Sequence, residues 1–369
     1  MNYWGYGTKA LYFAPKASYA ASADAVAEFA EMVDALHENG IECLMEFCLP
    51  GNAFWFVLQV LHHWQLRYQI DGFHLVGDAS LAEEASKDAL LRKTKLIFLG
   101  FDGERIYQGK RPWFRNLGEH NQGYQYHIRR FLKGDEGSLS DFTYYLRRSP
   151  ETHGVINYLA DHDGFTLYDS VSYEQKHNLD NGEDNMDGSN ENLTWNCGAE
   201  GVTRKPAVRA LRLRQLKNAV LMLMTSQGTP LIYGGDEFGN SQKGNNNAWC
   251  QDNKTGWIDW KAAARNPEFA AFVKAAIAFR KRIRRCTANA SRASSTTNPT
   301  AARICPSTAR EPGSPRWKTH AVLSASCTAE AISRIKTATR TTTSILPTTC
   351  TGIRMSWHCR PSRSRRSGI

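Results

Sequence analysis

The sequence predicts an α/β protein built from parallel βαβ units, an incomplete (β/α)8 (TIM) barrel lacking its first strands and followed by a disordered tail. Two observations carry this. Short apolar runs alternate with amphipathic helical stretches from residue 24 to residue 282, the pattern of a parallel sheet with crossover helices. Five strands read clearly, and a sixth, near Trp113 to His120, only weakly. A closed barrel needs eight, and this chain opens on a loop and a helix. A third observation bounds the folded part. From Cys286 to Ile369 the chain holds 13 Lys/Arg against 2 Asp/Glu, and two of the 40 aromatic residues. Ser and Thr supply 28 of those 84 residues. Such a segment buries too little to offset its ordering entropy.

Taken in order, Asn2-Tyr3-Trp4-Gly5-Tyr6 is an aromatic loop. Ser22 or Asp24 caps a helix whose Val26, Phe29, Ala30, Val33 and Leu36 share a face, and Asn39-Gly40 ends it. Ile41 to Cys48 is a short buried strand. Asn52 to Gln69 is a helix with Phe56, Val60, Leu61 and Trp64 inward. Gly72 to Val76 is a strand, and Ser80-Leu81-Ala82-Glu83 reads as a capping box opening a helix to about Lys93. Lys95 to Leu99 is the next strand. Helices follow near Tyr124 to Leu132 and Ser138 to Arg147. After a strand over 155–160 comes a polar connection of about forty residues. The segments 207–225, 230–234 and 267–282 then read as helix, strand and helix.

That long connection is the most informative stretch. Loops of its length inside a compact domain are uncommon and are functional or disordered. Here Phe165, Tyr168, Tyr173 and Trp195 punctuate the Asn, Asp and Gly residues, as a folded binding loop at a strand's C-terminal end requires. Its opening and continuation, HDGFTLYDSVSYEQKHNLDNGEDNMDGSNENLTWNCGAEGVT, resemble the fourth signature region of isoamylases and glycogen-debranching enzymes, a branch of the α-amylase superfamily. SQGTPLIYGGDEFGNSQKGNNNAWCQDN and NYWGY fit the same family, and the resemblance covers about Asn2 to Arg282. In that family the aromatic loop follows the second barrel strand, so the resemblance implies that the first two strands are absent. It also implies domains of 1–285, a partial α-amylase-type barrel, and 286–369, a low-complexity basic tail. A frameshift near codon 283 would produce such a tail.

The resemblance implies chemistry as well. Retaining glycosidases need two carboxyl groups about 5–5.5 Å apart. Family members carry a nucleophile ending DGFRFD and an acid in LIAEPWD; here Asp71 to Val76 reads DGFHLV and Leu96 to Asp102 reads LIFLGFD. Val76 therefore takes the nucleophile position, Leu99 the acid position and His74 the arginine position. The first signature region corresponds to Glu46–Gly51, with Pro50 and Gly51 where a sugar-binding asparagine and histidine belong. Asp163, the transition-state stabiliser position, is the only catalytic carboxylate retained. Tyr3, Trp4, His74, His162 and Trp195 are the expected substrate-binding residues. The expectation is a debranching-type hydrolase that has lost its activity, with α-glucan (glycogen or maltooligosaccharide) as its partner. Two alternatives stay open: a non-catalytic glucan-binding or regulatory protein, and a hydrolase with relocated carboxylates.

Other readings are excluded or set aside. No CxxC pair occurs among the nine cysteines, so neither a zinc ribbon nor a redox motif is present, and no metal or cofactor is expected. His62-His63 reads as a solvated or partly packed pair rather than metal ligands. Asp236-Glu237, as adjacent residues of a strand, would point to opposite sides and read as structural or rim residues. The sequon Asn192-Leu193-Thr194 is discounted without a secretory signal. The tail arginines form no face interleaved with aromatics, so no nucleic-acid partner is expected, and neither is a membrane. The reading is cytoplasmic, with the oligomeric state undetermined.

Overall fold

The computed structural model describes Trp4 and residues 12–48, 53–110, 112 and 114–282. The expectations placed on Tyr3, Pro50, Gly51 and the tail lie outside these residues. Six parallel strands pair in sequence order: β1 (Leu44–Cys48), β2 (Gly72–Val76), β3 (Lys95–Phe98), β4 (Leu117–Asn121), β5 (Gly154–Asn157) and β6 (Thr229–Pro230). Between and around them run α1 (Ala25–Glu38), α2 (Phe54–Tyr68), α3 (Ser80–Lys87), α4 (Gly103–Tyr107), α5 (Gln122–Lys133), α6 (Leu139–Arg147), α7 (Pro206–Thr225), α8 (Trp260–Arg265) and α9 (Pro267–Arg282).

The period-2 geometry of a strand decides which side chains face the helices. In β2, Phe73 and Leu75 are fully buried among Val60, Leu61 and Trp64 of α2, so His74 projects to the opposite face. Its register partner on β1 is Glu46. A second core joins α5, α6, α7 and α9 through Ile128, Phe142, Leu216, Val220, Phe269 and Val273. The sheet is curved. The rings of His74 and His120, on strands separated by a third, are 4.7 Å apart, where a flat sheet would place them about 9–10 Å apart. Glu46 on β1 likewise reaches His162, which follows β5, at 3.0 Å. Those residues line the concave side, as in a barrel segment.

Most elements match the sequence reading, and the departures have local causes. Asp24 caps α1, accepting from the amides of Val26 and Ala27. Ser80 makes no capping box: its helix starts after Ala79 without a side-chain cap, and Asp78 accepts the Ser80 amide at 2.8 Å. That helix ends at Lys87, because Asp88 turns the chain by accepting the amides of Leu90 and Leu91. The 230–234 strand shrinks to Thr229–Pro230, with Leu231 still donating to the Asn157 carbonyl at 2.8 Å. Gly235 then takes a positive φ of 94° and turns the chain. The 155–160 strand stops at Asn157. Two short helices, α4 and α8, carried too little periodicity to be read.

Gly72 shows how tightly the sheet is packed. A Cβ there would lie 2.7 Å from the Lys95 carbonyl oxygen, a backbone atom that cannot yield alone. Gly72→Ala is expected to cost about 1–3 kcal/mol through strand displacement. The check is the urea midpoint, and an unchanged value would contradict this packing.

Candidate functional site

The C-terminal strand ends carry the connections 77–79, 99–102, 158–205 and 231–259, the face where barrel enzymes keep their sites. A cluster of acids and imidazoles occupies it. Glu46 places Oε2 2.5 Å from His74 Nδ1 and Oε1 3.0 Å from His162 Nε2. In its ionised form Glu46 accepts both of these bonds. The Trp4 ring meets His162 edge-on at 5.3 Å. His120 stacks on Tyr158 at 4.0 Å and lies 3.6 Å from Asp161. Glu46, His74, His120 and Asp161 are largely withdrawn from solvent. Among the described residues no group of His, Cys, Asp or Glu could hold a metal ion.

Of the expected site residues, Trp4, His74 and His162 are brought together. Asp163 is exposed beside them, its amide donating to Asp161 at 3.0 Å. Val76 is half-buried at the end of β2, and Leu99, directly after β3, is 49% exposed. Trp195 lies elsewhere: with Leu132, Lys133 and Gln215 it lines a cavity against α5 and α7. Sequence reasoning gave Glu46 no role and missed His120 and Tyr158. The available signal was that Glu46 and His74 occupy matching places in adjacent strands, but parallel register is not local information.

The connection 158–205 is folded, and buried polar groups hold it. Arg212 of α7 donates to the carbonyls of Gly201 (2.6 Å), Asn196 (3.0 Å), Ser172 (3.3 Å) and Ala199. Arg129 of α5 gathers those of Leu159, Asn192 and Phe165. Irregular backbone withdrawn from water needs such partners. Asparagines stitch the connection to residues 245–247. Asn178 and Asn246 bond each other twice, at 2.8 and 3.0 Å. Asn181 donates to Asp187 at 2.6 Å and to the Asn247 carbonyl at 2.8 Å. The sequon residue Asn192 is buried and accepts from Asn246. Asp169 is fully buried, and burial pushes its carboxyl up to about 6 although Ser241, Gln242 and Gly244 donate to it. Asp236, also buried, is raised for the same reason and receives the Leu167 amide. These bonds make Asp236 a structural group. His62 pairs with Asp88 at 3.0 Å.

No family model matches the chain. It is 34% identical over 353 residues to the glycogen operon protein GlgX homolog of Mycobacterium bovis, covering 76% of this chain and 48% of that protein. It is 31% identical over 375 residues to the chloroplastic isoamylase SU1 of Zea mays, covering 76% and 47%. The chain belongs to the isoamylase and glycogen-debranching branch of the α-amylase superfamily. It spans about half the length of these relatives. Among solved structures, a pullulanase from Paenibacillus barengoltzii in complex with maltohexaose and α-cyclodextrin matches with a TM-score of 0.56. Its identity is 18%, over 76% of this chain and 51% of that one. A pullulanase from Anoxybacillus sp. LM18-11 in complex with maltotriose gives 0.58 at 17% identity, over 79% and 48%. At such identities the likeness establishes the fold alone, a parallel α/β sheet. No described helix is long and apolar enough to cross a membrane.

Proposed function

We propose that this debranching-family chain binds α-glucan, glycogen or maltooligosaccharide, without hydrolysing it. The observation that carries the reading is the hydrocarbon at the two positions assigned to chemistry, Val76 at the end of β2 and Leu99 after β3. A retaining mechanism needs one carboxyl to attack the anomeric carbon and one to protonate the leaving oxygen. Neither side chain offers a lone pair or a proton. Asp163 keeps its place, with His162 and Trp4 beside it. In the same reading, the described strands and helices are a partial α-amylase-type barrel, and the protein is cytoplasmic.

One observation favours a second reading. Glu46 stands 3.0 Å from His162, so a carboxyl group does lie beside the retained residues, with Asp161 and Asp163 nearby in sequence. A hydrolase with relocated carboxylates would use Glu46. The full chain, assayed for glycogen affinity and for reducing-end release, separates the two. Binding with release at the blank level is expected. Release that disappears in Glu46→Gln would establish the second reading, and absence of binding would overturn the first.

A further inference from the structure

Exposed indoles are costly to leave in water and mark contact surfaces when they gather on one side of a protein. Among the described tryptophans, three are at least half exposed: Trp55 (76%), Trp257 (50%) and Trp260 (52%). Chain topology puts all three at one end of the sheet. Trp55 lies in the first turn of α2, directly after the β1–α2 connection, and Trp257 and Trp260 close the long connection from β6 to α8. Both connections leave the C-terminal ends of strands, the end that holds Glu46, His162 and Trp4.

Two of these rings are also held in place. Trp257 donates its indole N–H to Asp252 at 2.9 Å, and the Trp260 ring rests against Phe238 at 5.8 Å. Trp55 leans on Phe54 at 5.4 Å. A side chain fixed before binding loses less rotamer entropy when it binds. The segment bearing Trp257 and Trp260 is continuous with the candidate site. The Trp4 amide donates to the Trp249 carbonyl at 3.2 Å, and the Trp4 ring meets His162.

We infer that Trp55, Trp257 and Trp260 are stacking platforms for an extended α-glucan chain, which crosses the strand ends on either side of the Trp4–His162 contact. This rests on the glucan-binding reading above. Pyranose rings present C–H faces to an indole and hydroxyl edges to polar neighbours; Asp252 bonds the Trp257 indole, and Asp259, next to Trp260 in the chain, pairs with Arg265. Several spaced platforms suit a polymer: a short oligosaccharide reaches one, whereas a long or branched chain reaches more than one and gains by multivalency.

The test is the affinity of the full chain for glycogen and for maltotriose, by affinity electrophoresis and calorimetry, in wild type, Trp55→Ala, Trp257→Ala, Trp260→Ala and the triple variant. Leu66→Ala, an exposed apolar position (62%) near the other end of α2, is the control. Each tryptophan variant is expected to lose about five- to tenfold in glycogen affinity. The triple variant should lose most of the glycogen preference over maltotriose, with Leu66→Ala unchanged. Wild-type binding with unaltered glycogen affinity in the tryptophan variants would overturn the inference and leave the glucan reading standing. So would a loss of self-association in place of a loss of affinity. No binding by the wild type would overturn both.

Discussion

Arg212→Ala is expected to destabilise the protein by about 3–5 kcal/mol, because it deletes several buried charge-assisted hydrogen bonds at once. Arg212 is 3% exposed, and its guanidinium gathers four carbonyl oxygens from residues 172–201. Alanine would leave those carbonyls facing a void, each costing about 1–3 kcal/mol unless water enters. Lysine cannot replace the planar fork, since its point charge satisfies fewer acceptors at once. Arg212→Lys should therefore recover only part of the loss. Hydrogen exchange should show the damage first in residues 165–203, with the β2 and β3 amides still protected. A variant with wild-type unfolding free energy would mean that the connection is held without this anchor.

Asp169→Asn is expected to change the pH dependence of stability rather than lower it uniformly. The folded-state value, about 6, stands above the ordinary 3.8 because burial disfavours the charge. Below pH 3.8 the group is protonated whether the chain is folded or not, and it contributes nothing to the pH dependence. Between 3.8 and 6 the folded protein holds a proton that the unfolded chain has released, so stability falls as pH rises. Above 6 the cost is constant, on the order of 3 kcal/mol for a shift of this size. Asparagine carries no charge and removes that slope. It keeps one oxygen for the Gln242 and Gly244 amides and turns its amide towards the Ser241 hydroxyl. Relative to wild type, the variant should gain on the order of 3 kcal/mol between pH 4 and pH 7, read from urea unfolding at both. An identical difference at the two pH values would contradict the assignment.

Much of the frame was legible because its signals are local. Asp71-Gly72-Phe73-His74-Leu75-Val76 reads as a strand from its apolar alternation, and Asp24 reads as a cap from its place before a periodic stretch. Leu117–Asn121 was nearly lost, because Gly118-Glu119-His120-Asn121 looks like a polar turn. Tertiary partners make it a strand. Glu119 meets Arg148 and His153 at 2.6 and 3.2 Å, His120 meets Tyr158, and Asn121 donates to Asn157. Half of the candidate site was hidden for the same reason. Glu46 becomes a site residue only when curvature carries β1 towards the connection after β5. Trp195 looked like a lining residue from its loop alone, yet the fold of that loop turns it towards α5.

Asn181 gives the molecule a chemical clock. It precedes Gly182, the sequence in which an asparagine side chain most readily loses ammonia. Its nitrogen is the atom that bridges Asp187 and the Asn247 carbonyl. Conversion to aspartate would set two negative groups and a carbonyl oxygen against one another where a donor stood. Loss of ammonia at this position would therefore add charge and break the clasp to residues 245–247, while the sheet beneath stays intact.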